Sequence, residues 1–203
     1  MTGTVSAPAL ELEALVASRL CHDLINPIGA VGNGVELLQA VMPGSAELQL
    51  IDESVRLAMD KVRFYRIAFG AASPSEQIDA RQITEILQGL YGSGRIRIEW
   101  PPRALPRPQA RLMFLAIQCA ESALPVGGTL TIVQEEGCLR ILAEARRMRF
   151  EPALWAHLTT GAPLAELRPA EVHFPLARRR AEADGLAVSL AEREGGFDLA
   201  FTA

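Results

Sequence analysis

Aromatic residues are scarce, only 5% of a 203-residue chain that is 49% apolar overall. Such a composition supports one real core plus a modest second part and excludes two large domains. Cysteines are few: Cys21, Cys119 and Cys138 are odd in number and unclustered, which speaks against a disulfide framework or a zinc site and suits a reducing cytosol. Long hydrophobic runs are missing too. None approaches the roughly 20 residues of a membrane span, and the N-terminus lacks the charged-then-apolar form of a signal peptide. A cytoplasmic protein with no membrane partner is expected. Positive charge is not in excess either. A net charge of -4 argues against a nucleic-acid partner, and Arg178-Arg179-Arg180 reads as a solvated helix face.

What the sequence does have is a long periodicity. Small or apolar residues recur at Leu10, Ala14, Ala17, Cys21, Leu24, Ile28, Val31, Val35, Leu38 and Met42, an unbroken alternation of four and three. That spacing predicts a helix over 10–42 whose stripe packs against other helices in a bundle. His22 lies one residue past Cys21, about 100° round the helix, so it points off the stripe toward solvent. Asn26 is one turn further along the same outward face. An exposed imidazole becomes a nucleophile when one ring nitrogen is free and the other is held as N–H by an acceptor, which fixes the tautomer. Asp23 can supply that acceptor, and its carboxylate also raises the basicity of the ring. Pro27 removes a backbone donor from the helix interior. Gly29, Gly32 and Gly34 follow, where alanine would favour the helix by about 1 kcal/mol each. Two readings of these glycines stay open: tolerance of a bend or a close partner, and tight packing between helices.

Met42-Pro43-Gly44-Ser45 breaks the first helix, and Ser45 suits the N-cap of a second. Leu48, Ile51, Val55, Ala58, Val62, Tyr65 and Phe69 then repeat at three and four. Two such helices joined by a short turn form an antiparallel hairpin with its apolar seam half covered, so two copies closing a dimeric four-helix bundle are the physical expectation. Ala72-Ser73-Pro74 marks a boundary, dividing 1–74 from 75–203. Beyond it, Asp79 precedes a helix over 80–91, and Ile96, Ile98 and Trp100 mark a strand. The proline-rich stretch 101–108 reads as a connection, ahead of a helix over 110–124. Residues 129–134 and 138–143 read as a strand hairpin, a short helix follows Pro152, another covers about 174–184, and strands at 187–192 and 197–202 end the sequence. The expected fold class is α+β: a helical hairpin followed by a two-layer α/β sandwich. There is no internal repeat or low-complexity tract.

His22-Asp23-Leu24-Ile25-Asn26-Pro27 resembles the H-box of sensor histidine kinases, whose pattern is His, an acidic residue, Leu or Ile, two variable positions and Pro. The longer string SRLCHDLINPIGAVGNGVELL is similar to one branch, the ChpT-type histidine phosphotransferases of alphaproteobacteria. That resemblance implies a homodimer, a histidine-kinase-like sandwich of the Bergerat or GHKL type after the hairpin, and receiver domains as partners. Those receivers would bring their own phosphoaspartate, Mg2+ and lysine. It implies that His22 carries the phosphoryl group, with Asp23 orienting or activating the ring. Asn26 then lines the docking surface, at a position that in kinases assists dephosphorylation of the partner. Arg19, one turn before His22, either helps neutralise the incoming phosphate or is a plain surface charge.

The likeness fails where a kinase would hold nucleotide. The family's metal-associated Asn is replaced at Ser122-Ala123, and Arg146, Arg147 and Met148 stand where glycines would be needed for close backbone approach. No glycine-rich loop occurs over 164–176, and Gly127-Gly128 and Gly195-Gly196 read as strand turns. A kinase needs positioned phosphates and a metal ion. The second part is therefore expected to be degenerate, without a nucleotide site, and no cofactor is expected on this chain. The sequence reads as a phosphorelay histidine phosphotransferase. The alternatives are an active sensor-type kinase with an atypical ATP site and a non-catalytic scaffold that docks receivers. His157 and His173 have no adjacent acidic partner in this reading and are expected to be structural.

Overall fold

The structure, a computed structural model, describes residues 12–73, 75–135 and 137–203. Leu10, the first residue of the expected stripe, and Pro74, the expected boundary residue, lie outside them. Helix α1 (Leu12–Val41) runs unbroken through Pro27. A turn with Gly44 at φ 85° leads to α2 (Ala46–Ala68), capped by Ser45, whose hydroxyl accepts from the Leu48 N–H at 3.2 Å. The two helices approach closely at Gly29 and Gly32. A Cβ on Gly32 would stand 3.3 Å from Val55 Cγ1, so tight packing explains that glycine, whereas one on Gly29 would meet Met59 Cε at an ordinary 3.7 Å. Gly34 faces open space.

Within one chain the apolar stripe of α1 is only half used. Ala14, Cys21 and Val35 are buried, whereas Leu24, Val31, Leu38 and Met42 are about half exposed. On α2, Leu48 and Val62 are buried while Ile51 and Tyr65 are exposed. An outward apolar band therefore runs along both helices of the hairpin.

Strand β1 (Gln77–Ile78) precedes α3 (Ala80–Tyr91), capped by Asp79, which accepts from the Arg81 N–H at 2.7 Å. Next come β2 (Ile96–Glu99), β3 (Leu105–Pro106) and α4 (Arg107–Ser122). The hairpin β4 (Gly128–Glu135) and β5 (Cys138–Glu144) follows, then α5 (Pro152–Thr160), α6 (His173–Ala183), β6 (Ala187–Arg193) and β7 (Gly196–Thr202). A five-stranded mixed sheet has the order β2-β4-β5-β7-β6, with β2 parallel to β4 and the other pairs antiparallel. Gly195, at φ 74°, sits in the turn between β6 and β7 as expected, whereas Gly127, at φ 91°, lies in the connection from α4 to β4. Helices cover one face, where Leu130, Ile132, Ile141 and Leu199 meet Leu115 and Ala116 of α4 and Ala177 of α6 in one core. The alternation of inward and outward residues along each strand produces that half-buried sheet.

Three local expectations are corrected. Helix α4 begins at Arg107, inside the stretch read as a connection, because Pro108 falls in its first turn, where no intrahelical N–H is required. The strand at Ile96 ends at Glu99, before Trp100. Arg178, Arg179 and Arg180 are not a merely solvated face: Arg178 donates to the carbonyls of Leu158 and Thr159 at the end of α5, Arg179 pairs with Glu13 on α1, and Arg180 with Asp184.

The base of the hairpin and the sandwich share their core. Phe64, Ile67 and Ala68 of α2 are buried with Ile83 and Ile86 of α3 and Phe114 of α4, and the Phe64 and Phe114 rings lie 4.7 Å apart. A Cβ on Gly89 would stand 2.0 Å from Asp60 Oδ2, so a glycine at this point of α3 leaves room for the Asp60 carboxylate of α2 as it is placed. Arg107 completes the junction. Its nearly buried guanidinium donates to Arg66 O at 2.7 Å, Ala71 O at 2.9 Å and Glu76 Oε1 at 3.0 Å. Ser18 of α1 accepts from the Ala71 N–H at 2.9 Å, tying the histidine helix to the same linker. Arg107→Ala would leave two carbonyls without partners and is expected to cost about 3 kcal/mol. Urea unfolding checks this; an unchanged midpoint would remove Arg107 from the junction. No described helix is long and apolar enough to cross a membrane.

Candidate functional site

Consecutive residues on a helix diverge by about 100°, so neighbouring side chains do not ordinarily face each other. His22 and Asp23 nevertheless meet: His22 Nδ1 lies 3.2 Å from Asp23 Oδ1. The other carboxylate oxygen, Oδ2, accepts from Arg19 Nε at 2.7 Å, across one helical turn. The His22 side chain is 73% exposed. With the ring proton on Nδ1 and donated to the carboxylate, Nε2 is left as a free, solvent-facing lone pair. Asp23 is held below the usual carboxylate range, first by the hydrogen bond from His22 and then by Arg19. It is therefore ionised at neutral pH, as an acceptor for Nδ1–H must be.

Arg19, His22, Asp23 and Asn26 all lie exposed on this stretch of α1. The structure brings the first three into one hydrogen-bonded set, in which Arg19 donates to Asp23. Sequence reasoning missed the surface next to them. His22, Asn26, Gly29 and Asn33 are spaced four, three and four, one face of α1. That face leads into an open groove of about 530 Å³ lined by Gly29, Gly32, Asn33, Val55, Met59 and Asp60. The spacing was there to be read, but the groove depends on how closely α2 and α3 approach. Burial in it pushes the Asp60 carboxyl up.

In the second part, Ser122 donates to Cys119 O at 2.7 Å, and Arg146 and Arg147 are exposed. The segment they belong to is stitched down at both ends, Ala145 N to Gly195 O and Arg149 N to Ala123 O, each at 3.0 Å, with Met148 packed against the core. His157 lies with Nδ1 2.7 Å from Ala162 O, beside the left-handed Gly161 that ends α5. Among the described residues no cluster of three His, Cys, Asp or Glu is placed to hold a metal ion.

His173 is buried at the start of α6, with Nε2 lacking a hydrogen-bond partner, and burial pushes it down to about 4 from its ordinary 6.5. The unfolded chain thus binds a proton that the folded chain refuses between those values. The stability tied to neutral His173 is complete above pH 6.5 and is lost as pH falls toward about 4, by about 3 kcal/mol in all. His173→Phe, which keeps the ring, is expected to flatten unfolding free energy against pH over that window. An equal slope in both proteins would show that the histidine is not buried neutral.

A helical hairpin with an exposed, tethered histidine, packed on an α/β sandwich, is the arrangement expected of a histidine phosphotransferase. Comparison with known proteins agrees. A family model described as histidine phosphotransferase C-terminal domain matches residues 80–196. The protein phosphotransferase ChpT of Brucella abortus (strain 2308) is 32% identical over 180 residues, which cover 85% of each chain. A solved structure of a bacterial phosphotransferase superposes with a TM-score of 0.66 at 28% identity, over 97% of this chain and 98% of the other. The chain belongs to the ChpT-type histidine phosphotransferase family.

Proposed function

We propose that this protein relays phosphoryl groups between receiver domains of a phosphorelay through His22. The observation that carries the reading is the exposed imidazole whose Nδ1 is tethered to Asp23, leaving Nε2 open. In the forward step the Nε2 lone pair attacks phosphorus of a receiver's aspartyl phosphate. The P–O bond breaks, the aspartate leaves as a carboxylate, and a P–N bond forms while Nδ1 keeps its proton. The ring gains positive charge as this happens, and the Asp23 carboxylate stabilises it. Delivery to a second aspartate reverses each change. Mg2+ and the acceptor carboxylate belong to the receiver, and the chain itself needs an accessible nitrogen and a surface to dock on. Asn26 and the groove beyond it extend that surface along the histidine's face.

The working form is a homodimer in which residues 1–74 form a dimeric four-helix bundle and residues 75–203 a degenerate GHKL-type sandwich. The outward band of Leu24, Val31, Leu38, Ile51 and Tyr65 supports this, because so long an apolar stripe is unusual on a soluble monomer. The stitched segment at 145–149 supports a phosphotransferase that does not use ATP, since charged, non-glycine residues stand where nucleotide phosphates would need close backbone approach. The test is to mix the purified chain with phosphorylated receiver domains. Acid-labile, base-stable phosphate should appear on the chain and move to a second receiver. Labelling from Mg-ATP alone would favour a kinase instead, and receiver binding with no phosphate on the chain would favour a scaffold.

A further inference from the structure

We infer that Arg19 is a positioning residue that acts on His22 through Asp23, an inference that rests on His22 being the phosphoryl carrier. The helix itself does not bring His22 and Asp23 together, since consecutive residues point about 100° apart. Arg19 precedes His22 by three residues and Asp23 by four. On the helix its position therefore falls between theirs, one turn toward the N-terminus. Its Nε takes one oxygen of Asp23 at 2.7 Å, and the other oxygen is thereby turned to His22 Nδ1 at 3.2 Å. Without Arg19 the half-exposed carboxylate has no second anchor, and either ring nitrogen of His22 is free to carry the proton.

The second consequence is electrostatic. An ionised Asp23 beside the reacting ring repels the anionic phosphoryl group that must approach it. Arg19 cancels that charge on the side away from the ring while leaving the Nδ1 contact in place. A guanidinium suits this better than an ammonium, because its planar fork fixes the direction of the carboxylate as well as its charge.

A double-mutant cycle read with a small phosphodonor tests the idea without involving a receiver. Phosphoramidate transfers its phosphoryl group to Nε2 as its P–N bond breaks and ammonia leaves, and His22→Ala supplies the blank for the other histidines. Arg19→Ala is expected to slow phosphorylation of His22 about fivefold, the upper range for an exposed charge pair. In the Asp23→Asn background the same change should have no further effect. Long-range proton–nitrogen NMR of the His22 ring should show the Nδ1–H tautomer dominant in the native protein and diluted in Arg19→Ala, with partial recovery in Arg19→Lys. An equal slowing in both backgrounds would mean that Arg19 meets the phosphoryl group directly, and an unchanged tautomer would overturn the positioning role. Loss of receiver-to-chain transfer with these results intact would instead remove the relay reading and leave the positioning role standing.

Discussion

His22→Ala is expected to end phosphoryl transfer while leaving the fold and its stability unchanged. The side chain is 73% exposed and contributes little packing, so its removal belongs with surface substitutions that alter stability by about 0.5 kcal/mol or less. No described residue can take over the role: His157 is held at Ala162 O and His173 is buried. Asp23→Asn makes the finer test. It keeps an acceptor for Nδ1–H but loses the charge that stabilises the positive ring, and transfer should slow about tenfold, about 1.4 kcal/mol in the barrier. Label transferred from a phosphorylated receiver, followed with unfolding curves of both variants, reads the two effects separately. Full transfer in His22→Ala would move the site elsewhere; an unchanged rate in Asp23→Asn would leave the carboxylate as a bystander.

The parts of this molecule legible in its sequence are those set by local spacing. The hairpin helices, the cap at Ser45 and the strand turn at Gly195 each follow from residues within one or two turns of one another. The triad of Arg19, His22 and Asp23 was equally local, although the spacing left open which group Arg19 serves. What escaped depends on distant contacts. Arg107 looks like any arginine in a proline-rich run, and only the fold brings it to Arg66, Ala71 and Glu76. Residues Gln77–Ile78 and Leu105–Pro106 form a two-stranded sheet too short to show any alternation. The parallel pairing of β2 with β4 joins segments about thirty residues apart and leaves no local trace. The arginine run misled for the same reason at two of its three residues: Arg178 and Arg179 find their acceptors at the end of α5 and on α1. A stripe at three and four spacing also cannot say which of its residues serve the same chain. Ala14, Cys21 and Val35 turned inward, whereas Leu24, Val31 and Leu38 did not.

That split yields a test of the dimer that spares the fold. Val31 lies nine residues beyond His22, about 180° round α1, so it is on the opposite face from the site. It is 53% exposed in a single chain, whereas Val62 of α2 is only 8% exposed. An aspartate at Val31 stays in water in the monomer and costs little there. In a four-helix bundle the same charge would be desolvated without a partner, at several kcal/mol per copy and twice over in a symmetric dimer. Val31→Asp is therefore expected to shift sedimentation from dimer to monomer by a factor of a hundred or more in dissociation constant, roughly 3 kcal/mol, with helix content retained. Val62→Asp, by contrast, buries its charge within the chain and is expected to unfold the hairpin. The monomeric Val31→Asp protein should still be labelled at His22 by phosphoramidate, because Arg19, His22 and Asp23 all lie two turns or more of α1 before the substitution. Its exchange with receivers should fall if, as proposed, the docking surface is shared between two hairpins. A Val31→Asp protein that sediments as a dimer with native affinity would show that the outward band is not the interface.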